Sequence, residues 1–395
     1  MDLRYSEADE KFRGEFRSWL NDAVPAYGDP PPPHDWPARR AYDTGWQRTL
    51  YQAGYACIDW PKQYGGRDAS PTEQLVYFEE IARARAPYVG INFVGIKHGG
   101  PTLIAEGTPE QKARHIPRIL KGEEVWCQGF SEPGAGSDLA SLQTRAVRDG
   151  DHYVVNGHKI WTTYAQVADY CELLVRTDPA APKHKGISWL ILPMNLPGIE
   201  IGPLRTLVGE GEFNELFLED VRVPVEDRVG AENDGWRVTN VTLRFERGTA
   251  FAAAIYSQQE FLADIARAAR QVTRDDARAW DDTALRKEIG HAQAELDALW
   301  AMVKMGVSES SKTGVPGIAG VAVKLLYSEL DQRLGDLAMR VLGRAGLSRD
   351  DVGGLPSKRF LATALKSISL TIAAGTSQIQ RNIIAERILG LPKER

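Results

Sequence analysis

Apolar residues recur at helical spacing from the start of the chain. Phe12, Phe16, Trp19 and Leu20 follow Ser6, whose hydroxyl suits a helix cap, and predict a first helix. Asp29-Pro-Pro-Pro-Pro-His-Asp-Trp-Pro37 reads as a stiff extended connector, because adjacent prolines exclude helix. A second helix is expected from about Ala38 to Gly54. Two further helix starts are written in full. Ser70-Pro71-Thr72-Glu73 and Thr108-Pro109-Glu110-Gln111 each combine a capping hydroxyl, a first-turn proline and a side chain able to reach back to the cap. Residues 1–125 therefore read as a helical domain. Its Lys97-His98-Gly99-Gly100 puts a lone histidine near a helix end, where a structural role is the simpler reading.

From Trp126 the period changes to two. Trp126 to Phe130 suits a short strand, which Pro133 halts because it has no N–H to donate. Thr144, Ala146 and Arg148 alternate with Arg145, Val147 and Asp149, and Asp149-Gly150 offers a hairpin turn. Tyr153 to Val155 leads into Asn156-Gly157, expected as a second such turn, and then a strand from Lys159 to Thr163. Cys171 to Arg176, Gly186 to Leu192, Ile199 to Ile201 and Glu215 to Leu218 add strands, and Val223-Pro224 closes the block. Short strands with turn signals between them predict a small antiparallel β barrel or sandwich over 126–232.

Beyond Asn233-Asp234-Gly235-Trp236 the helical period returns. Leu285, Ile289, Ala292, Leu296, Leu299 and Val303 form the inward stripe of a bundle. Helices are expected from Ile318 to Leu342, Phe360 to Ala374 and Ser377 to Leu389, with a tight turn at Gly343-Arg344-Ala345-Gly346. The fold class is α+β: an N-terminal helical domain (1–125), a middle β domain (126–232) and a C-terminal four-helix bundle (233–395).

Composition narrows the function. A formal net charge of −5 and a pI near 5.9 argue against non-specific nucleic-acid binding, which needs a strongly basic face. Cys57, Cys127 and Cys171 are too far apart in sequence to suggest a zinc site or a disulfide framework. Free thiols fit a reducing cytoplasm, and a cytoplasmic location is the expectation. The charged N-terminus shows no signal-peptide core, and no apolar run approaches a membrane span.

The stretch Trp126-Cys-Gln-Gly-Phe-Ser-Glu-Pro-Gly-Ala-Gly-Ser-Asp-Leu-Ala140 marks the seam between helices and strands. Gly134 and Gly136 permit a tight turn and close approach to a ligand, but they lack the third glycine of a dinucleotide fingerprint. Asn156-Gly157-His158-Lys159-Ile160-Trp161-Thr162-Thr163 and Gly375-Thr376-Ser377-Gln378-Ile379-Gln380-Arg381 follow it in order. Together these three segments resemble the flavin-contacting signatures of the acyl-CoA dehydrogenase family. The resemblance spans nearly the whole chain and weakens between about Arg267 and Arg286.

That resemblance implies FAD as cofactor. Phe130 and Ser131 would lie along the isoalloxazine, Trp161 would stack on it and Thr163 would touch it, while Thr376 and Gln378 would hold its other parts. By itself Trp161 reads as an ordinary core aromatic. Ser137 and Arg247 are the implied contacts to an acyl-CoA substrate, and Arg340 and Gly343 open a turn that would meet the adenosine end of FAD across a subunit interface. The implied reaction is α,β-dehydrogenation of the thioester to a trans-2-enoyl-CoA, with electrons passed to an electron-transferring flavoprotein. A homodimer, homotetramer or heterotetramer is expected, and the implied setting is fatty-acid or sterol side-chain β-oxidation, with chain length, branching or a sterol ring left open because they depend on cavity volume. Two alternatives share the fold: an acyl-CoA oxidase, and a non-catalytic flavin- or CoA-binding subunit of a mixed tetramer.

The chain departs from the commonest pattern at its base. Many members carry glutamate immediately before the Gly-Thr of the third signature, where this chain has Ala374. Glu246, in Leu243-Arg244-Phe245-Glu246-Arg247-Gly248, matches the relocated base of isovaleryl- and long-chain-type members and of some actinobacterial sterol side-chain dehydrogenases. Ala374 keeps a backbone N–H, which the family uses with a flavin ribityl hydroxyl to hold the thioester oxygen. The usual Arg-x-x-Phe-Gly element is absent, and Arg270 and Arg274 are the cations available in its place.

Overall fold

The computed structural model describes residues 4–87, 89–209, 211–245, 250–274, 276–313 and 319–393. Helix α1 (Glu7–Tyr27) starts where Ser6 and Asp9 exchange bonds, the Asp9 N–H to Ser6 Oγ at 3.1 Å and the Ser6 N–H to Asp9 Oδ2 at 2.8 Å. Helix α2 (Trp36–Gln52) begins earlier than expected. Asp35 caps it, and Pro37 falls in the first turn, where a missing N–H costs nothing. Helices α3 (Pro71–Arg83) and α5 (Pro109–Leu120) both open with complete capping boxes, and α4 (Gly100–Glu106) lies between them.

The strands are β1 (Trp126–Gly129), β2 (Arg145–Asp149), β3 (His152–Thr163), β4 (Tyr170–Arg176), β5 (Ile187–Pro193), β6 (Ile199–Leu204), β7 (Phe213–Pro224) and β8 (Arg228–Val229). They form one sheet in the order β6-β7-β3-β2-β4-β5-β8, with β1 added in parallel to β4. Asn156-Gly157 is not a turn: β3 runs through it. The irregularity falls on its partner, because Val155 pairs with Val221 and Gly157 with Leu218, so β7 carries one extra residue. Asp220 takes that place in the left-handed region, its backbone N–H and carboxylate both bonded to the Asn156 amide. The bulge lets Leu218 and Val221 both point inward. Gly157 is required by packing, since a Cβ there would meet Thr144 Oγ1 at 2.4 Å.

Helix α6 is Gly235–Phe245, and α7 is Ala250–Gln271. The short hairpin of β9 (Thr273–Arg274) and β10 (Ala277–Arg278) then precedes α8 (Thr283–Thr313), α9 (Ala319–Leu342), α10 (Ser357–Leu370) and α11 (Ser377–Ile383). Helix α10 ends at Leu370 rather than Ala374, and α11 passes at Ile384 into a single π turn.

Two compact units result. One comprises Asn21–Ala69 and Arg85–Glu246, and its sheet packs Tyr153, Val155, Leu173, Val175, Leu190 and Leu216 into one core. There His98 is enclosed 3.1 Å from Glu172, a structural setting. The other comprises Met1–Leu20, Ser70–Ala84 and Arg247–Arg395. Its core joins the whole expected α8 stripe to Phe261 and Ile265 of α7, Leu334 and Val341 of α9, and Leu75 and Phe78 of α3. Among the described residues no helix is long and apolar enough to cross a membrane, and Cys57, Cys127 and Cys171 are free and buried.

Candidate functional site

In the sheet-containing unit, two loops are fastened by one buried ion pair. The alternation that turns Tyr153 and Val155 inward also turns Lys159 inward, and it is fully buried. Its ammonium donates to Glu132 Oε1 at 2.8 Å and to the Phe130 carbonyl at 3.2 Å. Glu132 also accepts from the N–H groups of Gln143 at 2.6 Å and Thr144 at 2.8 Å. Burial alone would raise the Glu132 carboxyl, but the Lys159 charge and these donors outweigh it and hold it below the usual range. Burial draws the enclosed Lys159 down against the pull of Glu132. With an ammonium and two N–H donors on it, the carboxylate is the form this pocket stabilises. A further bond, Ile160 N–H to the Ser131 carbonyl at 2.9 Å, locks the first loop to β3.

The Pro133-Gly134 turn is closed by paired 3.0 Å bonds between Glu132 and Ala135. At Gly134 and Gly136 a Cβ would find no protein atom within 4 Å, so nothing in the chain itself demands glycine there. Ser137 is exposed on the same loop, and a cavity of about 480 Å³ opens between this turn and His158.

Trp161 occupies a second bulge. Lys159 pairs with Leu216 and Thr162 with Asn214, so here the extra residue belongs to β3. Trp161 has φ 62° and is 56% exposed, its ring edge-on to Phe213 at 5.7 Å. A large aromatic held left-handed and facing solvent is costly on both counts. The bulge therefore overturns the reading of Trp161 as a core residue, and a planar ring system is what its exposed face would receive. Phe130 is buried at the end of β1, while Ser131 and Thr163 are partly exposed. Phe130 and Ser131 on the loop after β1, and Trp161 and Thr163 on the strand β3 to which it is fastened, thus come together, and these groups fit a flavin.

The helical unit holds the remaining candidates. Ala374 is exposed at φ 51°, and Gly375 follows at φ 88°. The Ala374 carbonyl accepts from Gln380 Nε2 at 3.2 Å, and among the described residues its N–H donates to no other group. Lys324 Nζ donates to the carbonyls of Gly375 at 2.7 Å and Leu370 at 3.0 Å. Thr376 caps α11, accepting from the Ile379 N–H at 3.1 Å, and Gln378 is exposed on the first turn. Ala374, Thr376 and Gln378 are therefore on one turn. Arg340 and Gly343 lie at the far end of α9, where Arg340 is engaged by Glu288 in an exposed ion pair and Gly343 has φ 58°. Arg270 stacks on Trp280 at 3.7 Å. Glu246 and Arg247 lie outside the described residues.

Sequence reasoning did not single out Lys159, Glu132 or Lys324. For Lys159 a signal existed: a lysine in the inward phase of a strand demands a buried partner.

The chain matches family models for the acyl-CoA dehydrogenase N-terminal domain over residues 6–123, middle domain over 127–221 and C-terminal domain over 233–389. It is 40% identical over 395 residues to acyl-CoA dehydrogenase IpdE1 of Mycobacterium tuberculosis, covering 98% of each chain. A solved structure titled Tcur3481-Tcur3483 steroid ACAD matches with a TM-score of 0.84 and 32% identity, over 100% of both chains. The ChsE4-ChsE5 complex from Mycobacterium tuberculosis matches with a TM-score of 0.83 and 34% identity, again over 100% of both.

Proposed function

Because the chain belongs to the acyl-CoA dehydrogenase family of FAD-dependent oxidoreductases, we propose that it converts an acyl-CoA to the trans-2-enoyl-CoA and passes the electrons to an electron-transferring flavoprotein. The observation that carries this reading is Trp161, strained and exposed beside the Phe130-Ser131 loop. When bound, FAD supplies the two-electron acceptor for the hydride leaving the β-carbon. Glu246 takes the α-proton as that hydride leaves, so the Cα–Cβ bond becomes double. The Ala374 N–H meets the thioester oxygen, where such a donor contributes about 3 kcal/mol. Ser131 would hold the polar edge of the flavin through its hydroxyl and N–H, Trp161 would stack on the ring and Thr163 would contact it. Thr376, Gln378, Arg340 and Gly343 would hold the rest of the cofactor, while Ser137 and Arg247 would contact the acyl-CoA.

Trp161→Ala is expected to weaken FAD binding about tenfold, the effect of losing an aromatic stack worth about 1.4 kcal/mol. Flavin absorbance per protein after dialysis reads this out. Full retention with unchanged affinity would remove Trp161 from the site.

A steroid side chain is the best-supported acyl group, because a similar solved protein is titled a steroid ACAD. The deciding experiment is an anaerobic absorbance titration of the purified flavoprotein with straight-chain, branched and steroid side-chain acyl-CoAs. Bleaching only by the steroid thioester supports this substrate class, and bleaching only by straight chains overturns it. Peroxide formed under air, with no transfer to a flavoprotein acceptor, would mark an oxidase instead.

A second reading rests on the two-component titles of both solved relatives. In it the working unit is a heterotetramer to which this chain brings only part of the site. Protein that is colourless and inert alone, yet active with a partner chain, is its expected result. A homodimer or homotetramer that is yellow and active alone would exclude it.

A further inference from the structure

We propose that Lys324 is a positioning residue for the oxidation: its ammonium clamps the turn after α10 in the shape that offers the Ala374 N–H to the thioester oxygen. This rests on the role given above to Ala374.

The turn has two unusual features. Helix α10 stops at Leu370, leaving carbonyls that no helical N–H can reach. Ala374 and Gly375 then adopt left-handed φ values in succession, 51° and 88°. Gly375 takes that region freely, but Ala374 persists there only if its surroundings over-determine it. Lys324 does so from below, bridging the carbonyls of Leu370 and Gly375, the two ends of the bend, at 3.0 and 2.7 Å. Gln380 grips the Ala374 carbonyl from the α11 side, and the Ser377 N–H closes onto the Thr371 carbonyl at 2.9 Å. With its own carbonyl and that of Gly375 engaged, Ala374 is exposed, and among the described residues its N–H donates to no other group.

A neutral donor would hold two carbonyls as well, so the lysine needs a second reason. Lys324 is 7% exposed, and among the described residues it forms no ion pair. Burial draws its pKa down, and Glu329, itself engaged by Arg381, opposes that only from a distance. An ammonium without a counter-ion is a poor way to stabilise a bundle. It is a good way to favour negative charge in the turn above it. Negative charge develops there as the α-proton leaves and the thioester oxygen takes enolate character.

Lys324→Met keeps the length of the side chain and removes both the donors and the charge. In the FAD-loaded protein without substrate, amide hydrogen exchange over 371–377 is expected to rise at least tenfold. With saturating acyl-CoA under anaerobic conditions, flavin reduction should slow at least tenfold, while the dissociation constant of the thioester changes less than threefold. Lys324→Arg, which keeps donors and charge, should recover part of both. A turn that stays protected overturns the proposal, and so does a loosened turn that reduces flavin at the parental rate. The exchange measurement needs no turnover, so failure of the clamp is distinguishable from failure of the proposed reaction.

Discussion

Glu246→Gln is expected to slow flavin reduction by acyl-CoA at least about a hundredfold, the low end for losing a positioned general base. Glutamine keeps nearly the same shape and cannot accept the α-proton, so the thioester should still bind. The case is one of chemistry in sequence. The position that bears the base in many members holds Ala374, which has nothing to protonate. Gly248, Thr249, Ala250, Ala252, Ala253 and Ala254 follow Glu246 in the sequence and carry little side-chain bulk. Ala374→Glu in the same background tests the vacated site. Ala374 already carries a Cβ at φ 51° and is exposed, so a longer side chain adds little further backbone strain there. Partial recovery of reduction is the expected result. Stopped-flow bleaching at the parental rate in Glu246→Gln, with the substrate the protein turns over best, would move the base elsewhere.

What the sequence disclosed, and what it hid, divides by the range of the interactions. The capping boxes at Ser70 and Thr108 are complete within four residues, and both helices begin where those residues say. The α8 stripe is similarly legible, because a helix must bury its one apolar face. Pro37 was hidden by its neighbours: after four prolines it looks like more connector, yet Asp35 converts it to a first-turn residue. Asn156-Gly157 carries a hairpin signal, but the glycine answers to Thr144, thirteen residues away, and the irregularity sits on β7. No local pattern reveals that.

The candidate site divides the same way. The signatures around Ser131, Trp161 and Thr376 are short and ordered, so the resemblance finds them from sequence. What holds them is not short. Trp161 is exposed only because β3 and β7 fall out of register beside it, and from its own neighbours it reads as core. The early end of α10 has the same origin. Residues 371–374 read as helix, and the carbonyls at the two ends of the turn are held by Lys324, nearly fifty residues upstream on another element.

Lys159→Met is expected to destabilise the sheet-containing unit by about 3–5 kcal/mol, the usual cost of removing one partner from a buried ion pair. For a unit of this size that is a fall of roughly 10 °C in melting temperature. The ammonium is enclosed and bonded to Glu132 and to the Phe130 carbonyl, so its loss leaves a buried carboxylate facing methionine and a carbonyl unsatisfied. The Phe130-Ser131 loop would then be held to β3 mainly through the Ile160 N–H, and FAD retention should drop with it. Glu132→Gln should cost less than Lys159→Met, because its amide oxygen can still accept from the Thr144 N–H. The double variant should melt above Lys159→Met, as no unpaired carboxylate remains. Acid supplies the sign. The Glu132 carboxyl is depressed in the fold, so its contribution is present above the unfolded glutamate pKa of about 4.3 and is lost as pH falls through the folded value. The gap in melting temperature between the parent and Glu132→Gln should therefore narrow as the buffer is acidified. Calorimetry that finds Lys159→Met melting within about 2 °C of the parent, a change worth under about 1 kcal/mol, with FAD fully retained, would show that the pair does not fasten these loops.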